Sequence, residues 1–441
     1  MSSTSTISKD FTIAIVGGGM VGLACAIPLS RAGLNVTIFE SAKEFGEVGA
    51  GVGLGRNGLR ALEGLGLLDA IYTLPGVSKY RLGGFEFISG DKSVFKYPTR
   101  PDEYMIPMYR PAYMSAVLPL LDPSIVRFGK RCLFLTKTSY AEAGNPNSTT
   151  LHFSDGTTFT ADLVIGADGI KSVTRKYITG EENPHLRYTG HSVYRSLIPM
   201  EDLRKAGLET DVGRLISWLH GDRHIISFTV EDNTVLNVAA FGRTEPAVAG
   251  GKTGPWVETV SQQEVLDEFE GAGKDVQTIV EHMKAPSKWY IHSVSPTMDT
   301  FVKDQVVLVG DAVHAMLPHL GAGVNTGFED AYTIYRLLTH PKTNLSNLQH
   351  ILQLYSKFRE PRANMVLNRT AHMGDIYHEY DGDDQKFVDS TWGIWGPVWR
   401  YDIDKEVDAL LVKSGLGLPT GLELEEVEEK VLESGLLRSL L

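Results

Sequence analysis

The sequence predicts an α/β protein in which a parallel-sheet domain is interrupted by an antiparallel β-sheet domain and followed by a helical C-terminal region. Three observations favour this fold class: a glycine triplet after a short apolar run, two later apolar runs that end in the turns "GADG" and "GDA", and alternating apolar residues between those two runs. A chain of 441 residues is also long enough for more than one domain.

The predicted boundaries follow the change in pattern along the chain. We expect the parallel-sheet domain to be discontinuous, over residues 1–185 and 300–375. The β-rich domain would span 186–299, and the helical C-terminal region would span 376–441.

The first elements predict a β-α-β unit. "FTIAIVGG" is a short apolar run ended by glycines, as in a buried parallel strand, and the small and apolar residues after Met20 predict a helix that ends near Gly33. "NVTIFE" predicts the second strand, so a right-handed crossover is expected. Leucines at three-residue steps predict a further helix over Leu59–Ile71.

The glycine triplet carries the first functional signal. Gly17-x-Gly19-x-x-Gly22 lies between the first strand and the first helix, where the glycines permit a tight turn, the approach of a pyrophosphate and close helix packing. Glu40 ends the next strand at about the 20-residue distance at which a carboxylate accepts ribose hydroxyls. The unit is therefore Rossmann-like and predicts a bound dinucleotide, without separating NAD from FAD. A turn built only for packing would leave Glu40 unexplained.

The β-rich segment predicts an antiparallel meander. "GRLISWLH", "HIISFTV" and "VLNVAAF" are separated by short polar turns, and a Gly221-Asp222 hairpin loop would pair Leu219 with His224. Strand alternation then separates two faces. One face holds Leu215, Ser217, Leu219, His224, Ile226 and Phe228, and the other holds Ile216, Trp218 and His220.

Composition excludes several classes of protein. The formal net charge of −12 argues against nucleic-acid binding. Cys25 and Cys132 match no metal-ligand or redox spacing, so no metal site is expected and a reducing compartment is favoured. The N-terminus lacks the apolar core of a signal peptide, and no apolar run of about 20 residues predicts a membrane span. We expect a cytoplasmic monomer or homodimer.

Three motifs together resemble one known family. The glycine triplet, "VIGADGIKSVTRK" and "LVGDAVHAMLPHLGAGVN" are similar to the three signatures of the group A flavoprotein aromatic hydroxylases, the family of 4-hydroxybenzoate and salicylate hydroxylases. "MYRPAYMSAVL", "YRSLIP", "YSKFREPRANMVLNRT" and "WGIWGPVWRYD" match recurring segments of that family. The resemblance covers nearly the whole chain and looks closest to the fungal salicylate-hydroxylase-like branch.

The resemblance implies FAD as the cofactor and assigns residues to it. Glu40 would hold the adenosine ribose with the backbone of Gly53 nearby, Arg110 would reach the ribityl-phosphate region, and Asp311 would accept a ribityl hydroxyl. The Gly321–Asn325 loop, with Gly323, Val324 and Asn325, would lie against the pyrimidine ring, where N–H groups stabilise a reduced, anionic flavin. Asp168 would serve the flavin and the reduced nicotinamide, or would only cap a turn. NADH and NADPH remain equal alternatives, because no second nucleotide fingerprint is present.

The resemblance and the chemistry also suggest substrate-side residues. Arg195 suits a carboxylate or phenolate, with a surface ion pair as the alternative. His224 is the favoured base or donor, from a His-x-x-x-Tyr pattern that here ends in Phe228, and His220 is the weaker choice. Pro318 would turn its carbonyl oxygen toward the substrate side of the flavin, and His319 would face either that cavity or solvent. His314 and Trp289 are interpreted as packing or hydrogen-bonding residues.

The implied function is that of an FAD-dependent monooxygenase. It would hydroxylate a small, salicylate-like phenolic acid, with or without decarboxylation, using NAD(P)H and O2 through a flavin C4a-hydroperoxide. Two alternatives remain open: a flavin hydroxylase of a polyketide-type phenol in secondary metabolism, and a non-catalytic nucleotide-binding protein.

Overall fold

The computed structural model describes residues 9–46, 51–74, 77, 82–101, 103–138, 147–180, 185–244 and 255–418. The strands are β1 (Thr12–Val16), β2 (Asn35–Phe39), β3 (Gly51–Gly55), β4 (Phe85–Ser89), β5 (Lys92–Lys96), β6 (Met105–Tyr109), β7 (Val126–Arg127), β8 (Cys132–Lys137), β9 (Thr149–Phe153), β10 (Thr158–Ala161), β11 (Leu163–Gly166), β12 (Leu186–Pro199), β13 (Leu215–His220), β14 (Arg223–Val230), β15 (Val235–Arg243), β16 (Val257–Thr259), β17 (Ser287–Val294), β18 (Val302–Lys303) and β19 (Val306–Leu308). The helices are α1 (Met20–Arg31), α2 (Arg56–Gly64), α3 (Leu68–Tyr72), α4 (Arg110–Val117), α5 (Val173–Thr179), α6 (Met200–Lys205), α7 (Gln262–Glu268), α8 (Lys274–Glu281), α9 (Asp311–His314), α10 (Gly323–Thr339), α11 (Leu348–His378), α12 (Asp384–Thr391), α13 (Gly396–Trp399) and α14 (Ile403–Lys413).

A six-stranded sheet brings the three motif turns to one edge. Its order is β18-β19-β11-β1-β2-β7, and every pair except β18 with β19 is parallel. Val16 is in register with Gly166, and Gly166 is in register with Leu308. Because the carboxyl ends of parallel strands share an edge, the turns that follow these three residues lie side by side. The predicted β-α-β unit of β1, α1 and β2 is confirmed.

An eight-stranded sheet forms the second layer of the protein. Its order is β16-β17-β12-β15-β14-β13-β4-β5. The predicted hairpin is confirmed, since Leu219 pairs with His224 and His220 pairs with Arg223. The alternation also holds: Leu215, Leu219 and Phe228 pack in one apolar cluster, and Ile216 and Trp218 pack in another on the opposite face.

Two strands of this sheet come from outside the predicted boundaries. β4 and β5 precede residue 186 by about a hundred positions along the chain, yet β4 pairs in parallel with β13, with Phe85 opposite Leu215. The sequence around Phe85 has the period of a strand, but it contains no signal that indicates which strand it pairs with. The mixed α/β class is as expected, whereas this sheet is larger than the 186–299 segment predicts.

One helical expectation needs correction. The predicted helix over Leu59–Ile71 is divided into α2 and α3, because Gly66 adopts a left-handed φ of +68° that a continuing helix cannot accommodate. α11 runs unbroken to His378, past the predicted boundary at residue 375. The C-terminal region is helical in α12, α13 and α14, and residues 419–441 lie outside the described part of the chain. Within the described residues, no helix is both long and apolar enough to cross a membrane.

Candidate active site

The three glycines of the turn after β1 differ in the space around them. Gly17 has a φ of +102°, and a Cβ there would lie 2.4 Å from the carbonyl oxygen of Ala167. A Cβ on Gly22 would lie 2.1 Å from the carbonyl oxygen of Gly17. A Cβ on Gly19 would meet only Arg110 Nη2, at 3.9 Å. The first and third glycines are therefore required by packing, while the second leaves space beside the N-terminus of α1 and a guanidinium group, which suits a phosphate.

Glu40 closes the turn from the side of β2. Its Oε2 accepts a hydrogen bond from the Gly18 N–H at 2.8 Å, and its Oε1 accepts one from the Ala42 N–H at 2.8 Å. The carboxylate is thus held beside the glycine turn. Its predicted contact with a ribose stays a prediction.

The turn after β19 is fixed by the buried carboxylate of Asp330. Gly310 has a φ of +61° and donates its N–H to Asp330 Oδ2 at 2.9 Å. His314 Nε2 lies 2.6 Å from the same oxygen, and both side chains are fully buried. The interpretation of His314 as a hydrogen-bonding histidine is therefore confirmed.

Asp311 begins α9 at the wall of the cleft. Its carboxyl group is reached by solvent through the cleft but is otherwise surrounded by protein, and this burial raises its pKa although the charge of Arg110 opposes the effect. A carboxyl group in this position can accept a hydrogen bond from a bound hydroxyl.

A buried ion network extends from Asp330 and holds α10 in place. Arg359 donates to Asp330 Oδ1 at 2.9 Å and to Glu329 Oε2 at 2.8 Å, and Arg362 donates to Glu329 Oε1 at 2.8 Å. Asn57 Nδ2 donates to Glu329 Oε1 at 2.7 Å. The network ties α10 to α11 and α2, and so fixes the helix whose N-terminus reaches the cleft.

The N-terminus of α10 faces the cleft with its backbone. Gly321 is left-handed, with a φ of +60°, and the helix begins at Gly323. The first intrahelical bond is donated by Thr326 to Ala322, so the N–H groups of the Gly323–Asn325 segment precede it. These N–H groups and the helix dipole favour an anion at this point.

Asn325 has a structural role that the sequence reasoning did not include. Its Nδ2 donates to the carbonyl oxygens of Gly53 at 2.9 Å and Gly321 at 2.8 Å, and its Oδ1 accepts from Gly55 N–H at 3.1 Å. Gly53 therefore lies against the start of α10. Its expected position near the group held by Glu40 stays a prediction.

One cavity of about 480 Å³ connects these turns to the eight-stranded sheet. On the nucleotide side its wall includes Gly19, Gly53, Arg110, Asp311, Pro318, Gly323 and Val324. On the sheet side its wall includes Arg195, Leu215, Ile226, Phe228, Asn237, Ala239, Phe241 and Trp289. The turns and the sheet therefore share one chamber of the size that a small-molecule site requires.

Arg195 lies in the wall of this cavity. In the described part of the chain no carboxylate forms an ion pair with Arg195, and its Nε has no hydrogen-bond partner. Its guanidinium carbon lies 5.5 Å from the centre of the Trp289 ring. Burial lowers the pKa of Arg195, but a guanidinium remains charged at neutral pH. The surface ion-pair alternative does not describe this side chain.

The three candidate histidines, His319, His224 and His220, lie at different distances from the cavity. His319 is buried and lines the cavity. His224 lies behind it, fully buried between the rings of Phe241 at 4.5 Å and Tyr377 at 3.7 Å, and it is absent from the cavity wall. His220 lies at the hairpin, within 3.1 Å of the Glu270 carbonyl oxygen. Burial lowers the pKa of His319 to about 3, so its ring is neutral at pH 7.

Two further predicted residues have visible backbone or capping contacts. Pro318 lines the cavity, and its carbonyl oxygen accepts a hydrogen bond from the Gly321 N–H at 2.9 Å. Asp168 accepts hydrogen bonds from the Val173 and Thr174 N–H groups at 2.8 and 3.0 Å, which caps α5. The capping alternative therefore accounts for the Asp168 carboxylate, and its contact with a flavin or nicotinamide stays a prediction.

Sequence reasoning missed several wall residues. Trp289, interpreted as structural, borders the cavity beside Arg195. Asn237, Ala239 and Phe241 alternate along β15 and all face the cavity. Extending the period of two from the hairpin to the third strand of the meander would have identified these three residues.

Comparison with known proteins agrees with this architecture. The profile of the "FAD binding domain" family matches residues 10–370. A salicylate hydroxylase from Pseudomonas putida is 36% identical over 424 residues, which cover 91% of this chain and 94% of that protein. A 6-methylsalicylate 1-monooxygenase from Aspergillus terreus is 29% identical and covers 91% of this chain and 92% of that protein. The solved structure of a salicylate hydroxylase substrate complex superposes with a TM-score of 0.77 at 29% identity, covering 91% of this chain and 98% of that one.

Proposed function

The chain belongs to the FAD-binding domain family and is an FAD-dependent aromatic monooxygenase, and from that premise we propose that it hydroxylates a small phenolic acid of the salicylate type with NADH or NADPH as the electron donor. The relatives are named as a salicylate hydroxylase and a 6-methylsalicylate 1-monooxygenase, which disfavours the non-catalytic alternative. The observation that carries the choice of substrate is Arg195, a cation in the cavity wall with no acidic partner among the described residues.

The described residues fit a bound FAD. Gly19 leaves space beside the N-terminus of α1 and Arg110, where a pyrophosphate would be held. Asp311 would accept a hydroxyl of the ribityl chain, and the backbone N–H groups at the start of α10 would face the anionic edge of the ring system. When bound, FAD would take electrons from NAD(P)H and activate O2 for transfer of one oxygen atom to the substrate.

The sheet side of the cavity would bind and orient the substrate. Arg195 would form two hydrogen bonds to a carboxylate, with the Trp289 ring holding the guanidinium in place. Leu215, Ile226 and Phe228 supply an apolar surface for an aromatic ring. An electron-rich ring reacts faster once the phenol has lost its proton, and His319 is a group of the cavity wall whose neutral ring has a nitrogen that would accept a hydrogen bond from the phenolic hydroxyl.

The position of the substrate carboxylate relative to the attacked carbon decides whether carbon dioxide is released. If the attacked carbon bears the carboxylate, that group would leave as carbon dioxide, as the conversion of salicylate into a catechol requires. If the attacked carbon bears hydrogen, the carboxylate would be retained. Arg195 fixes the carboxylate and thereby the ring, but the attacked carbon depends on the whole wall.

The test is a panel of benzoates and phenols with the purified protein. We expect a yellow protein with one FAD for each chain, oxidation of NADH or NADPH that depends on a phenolic acid, and matching oxygen uptake. Product mass separates simple hydroxylation from decarboxylating hydroxylation. A protein that holds FAD but responds only to bulky phenols without a carboxylate would favour the polyketide-type alternative and contradict this proposal.

A further inference from the structure

Ala239 has the smallest side chain on the sheet side of the cavity wall. It lies on β15, directly opposite Arg195 of β12 on one side and directly opposite Ile226 of β14 on the other. Asn237 and Phe241, the next residues of β15 on the same face, also line the cavity. Larger side chains therefore surround a single methyl group in this wall, and Ala239 is half-buried.

The side chain of Arg195 does not extend over Ala239. In the eight-stranded sheet β12 lies between β17 and β15. Trp289 belongs to β17, and the guanidinium carbon of Arg195 lies 5.5 Å from the centre of its ring. The guanidinium group is therefore directed toward β17, away from β15. Beside the cation, the wall of the cavity is formed by the methyl group of Ala239.

The surroundings of Ala239 are apolar. Phe241 and Leu317 belong to one apolar cluster, against which Ile226 and Ala239 pack. Leu317 reaches the cavity from the loop between α9 and α10, so this cluster has members on both sides of the cavity. An alkyl group placed among these side chains gains free energy by leaving water, whereas a hydroxyl group would lose its hydrogen bonds to water.

Asn237 is the polar neighbour on the same strand, and its amide packs against β3. Its Oδ1 accepts a hydrogen bond from the Gly51 N–H at 3.3 Å. A Cβ on Gly51 would lie 2.6 Å from that oxygen, so the amide is in direct contact with the first residue of β3. Asn237 thus bounds one end of this part of the wall, and the contacts over Ala239 are left to apolar groups.

We propose that the space over Ala239, bounded by Ile226, Phe241 and Leu317 and here called the alanine notch, binds a short alkyl substituent of the phenolic acid. This inference rests on the function proposed above, and it makes an alkyl-substituted salicylate a better ligand than salicylate itself. Cross-strand neighbours have Cβ atoms about 5 Å apart, so the notch lies beside Arg195 and the carboxylate that it would hold. The substituent is therefore on the ring carbon next to the one that bears the carboxylate.

The depth of the alanine notch depends on the absence of side-chain atoms beyond Cβ at position 239. Valine is branched at Cβ and would place its methyl groups in the space that the substituent occupies. Because β-branched residues are favoured in strands, Ala239→Val changes the notch without opposing the conformation of β15. The variant therefore tests the size of the notch rather than the integrity of the sheet.

The experiment compares ligand binding to the wild type, to Ala239→Val and to Ala206→Val. Ala206 follows α6 at an exposed position, so this second variant controls for the substitution itself. Each protein, loaded with FAD and without NADH or NADPH, is titrated with four compounds, and Kd is obtained from the change in flavin absorbance. The compounds are salicylate, 6-methylsalicylate, 4-methylsalicylate, which has its methyl group away from the carboxylate, and 2,6-dihydroxybenzoate, which has a hydroxyl group in place of the 6-methyl group.

We expect the wild type to bind 6-methylsalicylate about tenfold more tightly than salicylate, and more tightly than the other two compounds. Ala239→Val should remove this preference, whereas Ala206→Val should retain it. A merely structural role of Ala239 would weaken all four ligands alike and leave the ratios of their Kd values unchanged, which would overturn the proposal. Equal wild-type affinity for salicylate and 6-methylsalicylate would also overturn it, and so would tightest binding of 2,6-dihydroxybenzoate.

Two further measurements keep the outcomes separate. If Ala239→Val does not retain FAD, Ala239→Ser, which adds one polar atom to the notch, is titrated against the same outcomes. A wild type that prefers 6-methylsalicylate but oxidises no NADH or NADPH in its presence contradicts the proposed function and not the alanine notch. A wild type that hydroxylates salicylate but shows no preference for the methyl group contradicts the notch and not the proposed function.

Discussion

His314 and Asp330 form a fully buried pair in which Nε2 lies 2.6 Å from Oδ2, and the same carboxylate oxygen holds the Gly310 N–H. One side chain of α10 thus fixes the left-handed glycine that precedes Asp311. The partner on the other side of the carboxylate is Arg359, whose Nε lies 2.9 Å from Oδ1. The turn at Gly310 presents its backbone and the Asp311 carboxyl group to the cleft. The charged side chains that hold this turn in place, Asp330 and Arg359, do not line the cleft.

Asp330→Asn tests this support. The change leaves the buried Arg359 with less compensating charge and breaks the pair with His314, so we expect a loss of about 3–5 kcal/mol in the free energy of unfolding, together with weaker FAD binding. Urea denaturation and FAD titration measure the two effects. Asp408→Asn is the control: its pair with Arg336 is partly exposed, and its removal should cost under about 1 kcal/mol. Equal losses in both variants would show that burial of the pair does not matter.

Gly22→Ala and Gly19→Ala should separate folding from cofactor binding. The Cβ of the first variant would lie 2.1 Å from the Gly17 carbonyl oxygen, so the turn must distort and both stability and FAD content should fall. The Cβ of the second would meet nothing closer than 3.9 Å, so thermal stability of the apoprotein should stay near that of the wild type while FAD affinity drops about tenfold or more. Unchanged FAD affinity in Gly19→Ala would place the phosphates elsewhere. Gly46→Ala, where no described atom lies within 4 Å of the new Cβ, controls for the substitution itself.

The features that could be predicted from sequence are those that a local conformation imposes. Gly17 and Gly310 have positive φ values, and the Gly221-Asp222 hairpin sets the register of Leu219 with His224, so each leaves a local signature. The pairing of Phe85 with Leu215 leaves none, because it joins distant segments through a contact that many strands could satisfy.

The same limit applies to the histidines. Strand alternation assigned His224 to the correct face of the sheet. How far its side chain lies from the cavity depends on which side chains pack over it. Tyr377 covers His224, and His319, from a different part of the chain, takes the place at the cavity. Strand periodicity gives the direction of a side chain and not its distance from the ligand.

Arg195→Ala should impair the handling of phenolic acids without loss of FAD. Removing a partly desolvated cation from a carboxylate costs about 2–5 kcal/mol, so KM for a phenolic acid should rise by about thirtyfold or more. Arg195→Lys should recover part of this loss, since it keeps the charge but not the two-pronged geometry. Steady-state NADH oxidation and the flavin absorbance measure the two properties. Arg204→Ala, at an exposed position of α6, should behave as the wild type, and an unchanged KM in Arg195→Ala would remove this residue from the substrate site.

His319→Phe should make the protein less sensitive to mild acid. In the folded state burial lowers the pKa of His319 from its ordinary 6.5 to about 3, so below pH 6.5 the unfolded chain binds a proton that the folded chain does not. His319 thus causes stability to fall as the pH drops from 6.5 toward 3, by about 1.4 kcal/mol for each pH unit well inside that window, and it has no such effect above pH 7. The variant has no group to protonate there, so its unfolding free energy should decline less steeply between pH 6.5 and pH 4 when both proteins are titrated with urea. Parallel curves for wild type and His319→Phe would show that burial does not hold His319 neutral in the folded protein.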